Sequence, residues 1–223
     1  MMPYRSPLGR AESLTAQGRV PIRDNGEPLV DFVGLSPRLV FAERHPVFDF
    51  PRVHLVRRRV AEMLVEAAER LPDALTLTIV EGWRAPAVQR QMYEATEREM
   101  AELHPDWSPA ILRRTINRFS APPDHRVPPP HCTGGAVDLD ITTPTGERLD
   151  TTSPYDLSDR RGNATDARGL SPTARANREL LVATLAEVGF TNYPAEWWHW
   201  EYGTPGWALR AGQPAALYGL IEP

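Results

Sequence analysis

Apolar residues follow two different periods along this chain, and the two periods alternate. In the segment 53–71 apolar side chains recur at helical spacing and Pro72 follows, which predicts a helix that ends there. The segment 75–80 alternates apolar and hydroxyl residues, a period typical of a strand. Arg84 comes directly after this strand, and a proline then begins a predicted helix over about 86–103.

The second half of the chain repeats this alternation. Two Ser-Pro pairs, which are typical of a helix N-cap and first turn, predict helices over 108–119 and 171–189. Between them the segment 121–130 contains five prolines and leads into a predicted strand at 136–141. The aromatic segment 197–202 predicts one further strand.

Separated strands and helices in this order predict an α+β fold. A length of 223 residues favours a single domain, which we place at 29–223 after an N-terminal extension at 1–28. We expect a small central antiparallel or mixed sheet flanked by helices. The polar, turn-rich segment 150–169 predicts a long surface loop.

Composition narrows the possible functions. A net charge of −4 offers no basic surface for nucleic acid, and no run approaches the roughly 18 apolar residues that span a membrane. The single cysteine, Cys132, excludes an internal disulfide and suits a reducing compartment. Because no apolar signal-peptide segment follows the first residues, we expect a cytoplasmic protein. The oligomeric state stays open.

Two short segments carry the candidate chemistry. His131 and Asp138 lie seven residues apart with two glycines between them, and Glu196 and His199 lie three apart. Alone, the first pair is usually a surface histidine with a strand-end aspartate, and the second is usually an aromatic core strand. Together they supply two imidazoles, one carboxylate ligand and a spare carboxylate, which is the inventory of a catalytic zinc site. We therefore predict one Zn²⁺ per chain, bound where loops meet the sheet edge.

A resemblance to a known family rests on these segments. The motifs His131-x-x-Gly134-x-Ala136-x-Asp138 and Glu196-x-x-His199 resemble the signature of the zinc D-alanyl-D-alanine dipeptidases, relatives of the vancomycin-resistance dipeptidase. The segment Glu81-Gly82-Trp83-Arg84 resembles the Gly-aromatic-Arg segment of that family, and parts of 202–219 resemble its tail. The family shares its fold with DD-carboxypeptidases and with the hedgehog signalling domain.

The resemblance implies a role for each matching residue. His131, Asp138 and His199 would bind zinc, Glu196 would be the catalytic base, and Arg84 would polarise the scissile carbonyl. A fixed guanidinium beside a developing negative charge suits that last role.

The substrate-binding residues implied are Asp156 for the substrate ammonium group, its neighbour Tyr155, and Trp198 in the cleft wall. An aspartate in a polar loop is more often only a turn former.

Two positions depart from the family pattern. Pro129 stands where the best-known members carry a serine that contacts the substrate, and a proline nitrogen cannot donate a hydrogen bond. Asp140 stands where a neutral residue is commoner, and it adds negative charge near the site if it points inward. Both positions bear on which peptide is cleaved.

Three functions agree with these residues. The first is a zinc metallopeptidase that hydrolyses D-Ala-D-Ala or a similar short dipeptide with a free amino terminus. The alternative is a peptidoglycan DD- or LD-carboxypeptidase, which trims longer peptides. A second alternative is a non-catalytic zinc-containing binding module, and the presence of both Glu196 and Arg84 argues against it.

Overall fold

The computed structural model describes residues 11–43, 50–117, 120–123, 126–155 and 160–222. The helices in these residues are α1 (Leu14–Gln17), α2 (Arg58–Arg70), α3 (Pro86–Leu103), α4 (Pro109–Ile116), α5 (Pro172–Val188) and α6 (Pro205–Arg210). The strands are β1 (Leu29–Asp31), β2 (Leu39–Phe41), β3 (Leu55–Arg57), β4 (Thr76–Glu81), β5 (Ala136–Thr142), β6 (Thr191–Asn192) and β7 (His199–Glu201).

A five-stranded sheet in the order β2-β4-β5-β7-β6 forms the centre of the fold. β2 is parallel to β4 and the other neighbours are antiparallel, so the sheet is mixed; β1 and β3 form a separate antiparallel pair. Helices α2 and α5 pack together, and their apolar faces meet β4 and β5 in the main core around Leu64, Ile79, Leu139 and Leu185. The predicted α+β class, with a mixed sheet flanked by helices, is confirmed.

Capping residues explain why the clearest helix predictions match. The Ser108 and Ser171 hydroxyls accept hydrogen bonds from the backbone N–H groups of Ile111 and Ala174, three residues later in each helix. Gly189 ends α5 with a φ of 106°, a left-handed conformation that glycine adopts without a steric cost. The predicted strand at 136–141 is β5, one residue longer.

The predicted boundaries were wrong by two or more residues at three elements. Residues 55–57 form β3, because this segment pairs with β1 (Val30 opposite Val56), and α2 begins only at Arg58. The helix predicted over 108–119 ends at Ile116, with Asn117 as its C-cap, and residues 118–119 lie outside the described ranges. The strand predicted over 197–202 is limited to 199–201, where its backbone pairs with β5.

The segment before β1 packs against the C-terminal tail. Ile22 forms a bridge with Ala216, the Asn25 N–H donates to the Leu217 carbonyl, and Asp24 forms an ion pair with buried Arg57 at 2.8 Å. The boundary at residue 28 stays a prediction. None of the helices in the described ranges has the length and apolar character needed to cross a bilayer.

Strand register determines which polar residues meet at one end of the sheet. Glu81 on β4 lies opposite Asp138 on β5, and Asp138 lies opposite His199 on β7. A register shift between Ile79 and Glu81 produces the first of these pairings. Three neighbouring strands therefore place two acidic side chains, Glu81 and Asp138, and the His199 imidazole side by side.

Candidate metal centre

His131, Asp138 and His199 form a compact cluster. Their nearest potential ligand atoms all lie within 4.8 Å of one another, and among the described residues no other group of three such side chains has this arrangement. Asp138 Oδ1 lies 2.8 Å from His199 Nδ1 and 3.4 Å from His131 Nε2. The structure thus brings the three predicted metal ligands together, two from adjacent strands and one from the turn that precedes β5.

Backbone conformation explains how His131 reaches this cluster. It lies in a short 3-10 turn, Pro130–Thr133, which ends at Gly134 with a φ of 71°. A Cβ at Gly134 would lie 2.7 Å from Leu29 Cδ2, and one at Gly135 would lie 2.4 Å from the Tyr202 carbonyl oxygen. Two glycines are therefore needed where the chain passes closely between its neighbours and enters β5.

Each imidazole is also held through its other nitrogen. His131 Nδ1 lies 2.9 Å from the Gly82 carbonyl oxygen, and His199 Nε2 lies 3.3 Å from Glu201 Oε1. This leaves His131 Nε2 and His199 Nδ1 facing Asp138. Two imidazole nitrogens, one carboxylate oxygen and hydrogen-bond acceptors behind both rings fit the ligand set and outer shell of a catalytic zinc site.

The electrostatics of the cluster follow from its burial and its opposite charges. Burial alone would raise the pKa of the Asp138 carboxyl, but the two histidines outweigh it and hold that pKa well below its usual range. Burial alone would lower the pKa of His199, but its contacts with Asp138 and Glu201 raise it to about 10. In the protein without metal, His199 therefore carries a proton that a metal must displace.

Arg84 lies beside this cluster in a fixed orientation. Its Nε donates to Glu81 Oε1 at 2.7 Å, its Nη2 donates to the second Glu81 oxygen, and its Nη1 donates to Gln89 Oε1 at 2.6 Å. Its backbone N–H donates to the His131 carbonyl at 3.2 Å, which ties it to the turn that carries the ligand. Burial would lower the pKa of Arg84, but Glu81 and Asp138 raise it, so the guanidinium stays charged.

Glu196 lies in the tight turn that leads into β7. Its carbonyl accepts from the His199 N–H at 3.2 Å and from Asn192 Nδ2 at 3.0 Å, and its own N–H donates to the Tyr193 carbonyl at 3.0 Å. Glu196 is half-buried. Burial, with Glu196 and Glu201 nearby, raises the pKa of Tyr193 to about 12. Glu196 thus lies three residues before the predicted ligand His199, in a turn held by backbone hydrogen bonds.

The comparison with known families agrees with this geometry. The family model of peptidase family M15, described as D-Ala-D-Ala dipeptidase, matches residues 47–211, which is more than half of the chain. The chain belongs to peptidase family M15. It is a metallopeptidase, and the family resemblance expected from the sequence is confirmed.

Curated relatives of this M15 peptidase include D-alanyl-D-alanine dipeptidases from three bacteria. The protein from Synechocystis sp. is 25% identical over 91% of this chain and 95% of its own length. The protein from Escherichia coli is 35% identical over 32% of this chain and 36% of its own length. The protein from Enterococcus faecalis is 33% identical over 32% of this chain and 35% of its own length.

Solved structures are more distant. A mutant of the vancomycin resistance D,D-pentapeptidase VanY, in complex with Zn(II), has 16% identity and a TM-score of 0.43, covering 84% of this chain and 88% of its own. The LD-carboxypeptidase LdcB has 18% identity and a TM-score of 0.43, covering 84% of this chain and 75% of its own.

The predicted substrate residues of the M15 peptidase are less well placed by the structure. Tyr155 is half-buried, with the Arg161 guanidinium 4.8 Å from the centre of its ring. Trp198 is partly buried and packs against the main core. Asp156 lies outside the described residues. The substrate roles of all three stay predictions.

The two departures from the family pattern lie in different surroundings. Pro129 is buried, and its carbonyl accepts from the Cys132 N–H at 2.9 Å within the 3-10 turn. Asp140 is also buried, but its carboxylate accepts from Arg148 Nε and from the Ile141 N–H. Arg148 therefore balances the negative charge of Asp140.

Three polar residues at the site were missed by the reasoning from sequence. Glu81 and Gln89 orient Arg84, and Glu201 contacts His199. The sequence held a signal for two of them. Glu81 is an acid at the end of an apolar strand. Glu201 follows the predicted ligand His199 by two residues, so the two side chains lie on the same face of a strand. Gln89 had no comparable signal, because its contact depends on how α3 leaves the sheet.

Proposed function

We propose that this M15 peptidase hydrolyses D-Ala-D-Ala, or a similar short dipeptide with a free amino terminus, in the cytoplasm. The observation that carries the proposal is the cluster of His131, Asp138 and His199, with the fixed Arg84 beside it. Glu196 lies three residues before His199, in the turn that leads into β7. Curated dipeptidase relatives, one of them aligned over 91% of the chain, support the substrate class.

His131, Asp138 and His199 would hold one zinc ion through Nε2, a carboxylate oxygen and Nδ1, respectively. A bound zinc ion lowers the pKa of water at its open position and polarises a carbonyl oxygen. Glu201 and the Gly82 carbonyl hold the two rings from behind, so that the ligand atoms keep their directions.

Glu196 and Arg84 would perform the steps that belong to the chain itself. Glu196 takes a proton from the attacking water and passes it to the leaving amine as the peptide bond breaks. Arg84 donates hydrogen bonds to the carbonyl oxygen as negative charge develops there. Glu81 and Gln89 keep the guanidinium in place before the substrate arrives, so little reorganisation is needed during the reaction.

The amino end of the dipeptide would be bound by the loop at 150–169. Asp156 pairs with the substrate ammonium group, while Tyr155 and Trp198 contact its apolar surface. An acid at that position favours binding of a substrate with a free amine over an acylated one, because acylation removes the positive charge.

The base can be tested with a matched pair of glutamates. Glu196→Gln should reduce hydrolysis of D-Ala-D-Ala by at least about 10² while zinc content stays at one ion per chain. Glu187→Gln, at an exposed position on α5, should leave both unchanged. Full activity in Glu196→Gln would overturn the assigned base.

The substrate can be tested with free and blocked peptides side by side. The purified protein should release D-alanine from D-Ala-D-Ala faster than from N-acylated tri- and pentapeptides ending in D-Ala-D-Ala or D-Ala. Preference for the blocked peptides would overturn the dipeptidase function in favour of a carboxypeptidase. Full zinc occupancy without cleavage of any peptide would favour a binding module.

A further inference from the structure

Glu201 is a buried acid that contacts a metal ligand from the side opposite the metal. It lies two residues after His199 on β7, so both side chains leave the same face of the strand. His199 Nε2 lies 3.3 Å from Glu201 Oε1, while His199 Nδ1 lies 2.8 Å from Asp138 Oδ1. Glu201 is 3% exposed. The ring of His199 is thus held between two carboxylates.

The two histidines of the site differ in the group behind them. His131 Nδ1 contacts the neutral Gly82 carbonyl, whereas His199 Nε2 contacts a carboxylate. A carboxylate accepts an imidazole N–H more strongly than a carbonyl does and makes the remaining nitrogen a better donor to metal. Of the two rings, His199 therefore depends more on its rear partner.

The charge of Glu201 is balanced within the fold. Arg210 Nη2 lies 3.0 Å from Glu201 Oε1, and the Thr204 hydroxyl donates to Oε2. Arg210 is itself fixed, because its Nε donates to Thr191 Oγ1 at 3.0 Å and its Nη1 donates to Glu12 Oε2 at 2.8 Å. A buried carboxylate with this support keeps one position, which is what a group that orients a ligand needs.

From these contacts we propose that Glu201 is a positioning residue for the metal centre: it holds the proton of His199 on Nε2, directs Nδ1 at the metal and strengthens that bond. The inference rests on the proposed function only in that the site binds zinc. A purely structural alternative is that Glu201 serves to dock α6 through Arg210, and the two roles predict different results.

Two substitutions separate these roles because both remove the same ion pair. Glu201→Gln also removes the negative charge behind His199, whereas Arg210→Gln leaves the carboxylate in place. With zinc affinity measured by competition with a chromophoric chelator, Glu201→Gln should bind about 10- to 100-fold more weakly than the unchanged protein. Arg210→Gln leaves Glu201 charged and still held by the Thr204 hydroxyl, so its zinc affinity should stay within about threefold of the unchanged protein. Equal weakening in both variants, or none in Glu201→Gln, would overturn the proposal.

A second measurement does not depend on either variant folding. In the unchanged protein, labelled with ¹⁵N in histidine and loaded with ¹¹³Cd²⁺, the metal should couple to Nδ1 of His199 while Nε2 keeps a slowly exchanging proton. Coupling to Nε2, or a rapidly exchanging Nε2 proton, would overturn the role of Glu201.

Failure of the proposed function gives a different pattern. A protein that binds zinc tightly, loses affinity in Glu201→Gln and cleaves no dipeptide would contradict the proposed substrate and leave the positioning role intact. A protein that binds no zinc would overturn both.

Discussion

The two sides of the candidate site are built in different ways. On the sheet side, the register of β4, β5 and β7 places Glu81, Asp138 and His199 next to one another. On the loop side, the irregular segments 151–155 and 160–164 are held by one buried side chain, Arg178, on α5. The proposed chemistry therefore rests on paired strands, whereas the segment proposed to select the substrate is irregular and can tolerate more sequence change.

Within the described residues, Arg178 holds this loop through hydrogen bonds to backbone carbonyls. Its Nε donates to the Thr151 carbonyl at 3.0 Å, its Nη1 to the Ala164 carbonyl at 2.6 Å, and its Nη2 to the Gly162 carbonyl at 3.1 Å. Its guanidinium carbon also lies 5.3 Å from the centre of the Trp197 ring, next to Glu196. The side chains of the loop can therefore change without altering the anchor.

The largest effect is expected from Arg84, three residues after the end of β4 on the sheet side. Arg84→Lys keeps the charge but loses the planar fork that meets Glu81 and Gln89, so the kcat for D-Ala-D-Ala should fall about 10²- to 10³-fold. Zinc affinity should change little. Arg98→Lys, at an exposed position on α3, provides the control. A rise in KM with unchanged kcat would place Arg84 in substrate binding instead.

The next effect concerns pH and the protonated His199. Because its pKa is raised to about 10 in the protein without metal, zinc must displace a proton, and zinc affinity should rise about tenfold per pH unit from pH 7 towards 10. Chelator competition at fixed ionic strength measures this. An affinity that is flat over this range would mean that His199 is neutral without the metal.

The raised pKa of His199 also makes the stability of the metal-free protein depend on pH. A raised pKa contributes stability that is complete below the unfolded value of about 6.5 and is lost as pH rises through about 10. The melting temperature of the metal-free protein should therefore fall between pH 7 and 10, and saturating zinc should remove much of that fall.

A smaller effect is expected from Gln89, which joins Arg84 to the chain beyond α4. Its Nε2 donates to the Ala121 carbonyl at 2.8 Å and its Oε1 accepts from Arg84. Gln89→Leu should lower kcat by about five- to tenfold, the kinetic equivalent of one hydrogen bond to a charged group. The zinc content and the KM of this variant should stay unchanged. Gln91→Leu, exposed on the same helix, is the control, and equal losses in both variants would contradict the role.

The smallest kinetic effect should come from the loop side. Arg178→Lys keeps a positive charge but cannot reach three carbonyls, so we expect KM to rise about threefold, with kcat and zinc affinity nearly unchanged. Stability should fall by about 1–3 kcal/mol, because buried carbonyls lose their donors. Arg175→Lys, exposed on the same helix, controls for the charge. A fall in kcat without a change in KM would erase the distinction between the two sides.

The sequence predicted those parts of the molecule that local chemistry determines. Ser108, Ser171 and Gly189 cap their helices as their residue types suggest, and the residues of the cluster His131, Asp138 and His199 were selected from their motifs. The segment that forms β3 was predicted as helix because the spacing of Val56 and Val60 fits both the helical and the strand period. The structure shows the difference, because β1 pairs with Val56. The start of α6 at Thr204-Pro205 repeats the capping signature and could have been found, since the Thr204 hydroxyl accepts from the Trp207 N–H.

The missed site residues depend on contacts far apart in the chain. The pairing of Glu81 with Asp138 needs the shift in register that follows Ile79, and no local pattern encodes it. Glu201 and Arg210 meet because α6 folds back onto β7. Sequence periodicity predicts which face of a strand a side chain lies on, but it does not predict which residue lies opposite on the neighbouring strand. The roles of these residues could therefore be recognised only in the structure.

Cys132 gives the molecule a chemical reporter of its own. This thiol is fully buried beside His131, and burial raises its pKa to about 12, so the reactive thiolate is scarce while the turn is closed. It is the single cysteine of the chain. The rate at which an alkylating reagent modifies it therefore measures how often the turn that carries His131 opens, and comparing that rate with and without zinc would show how strongly the metal holds this turn shut.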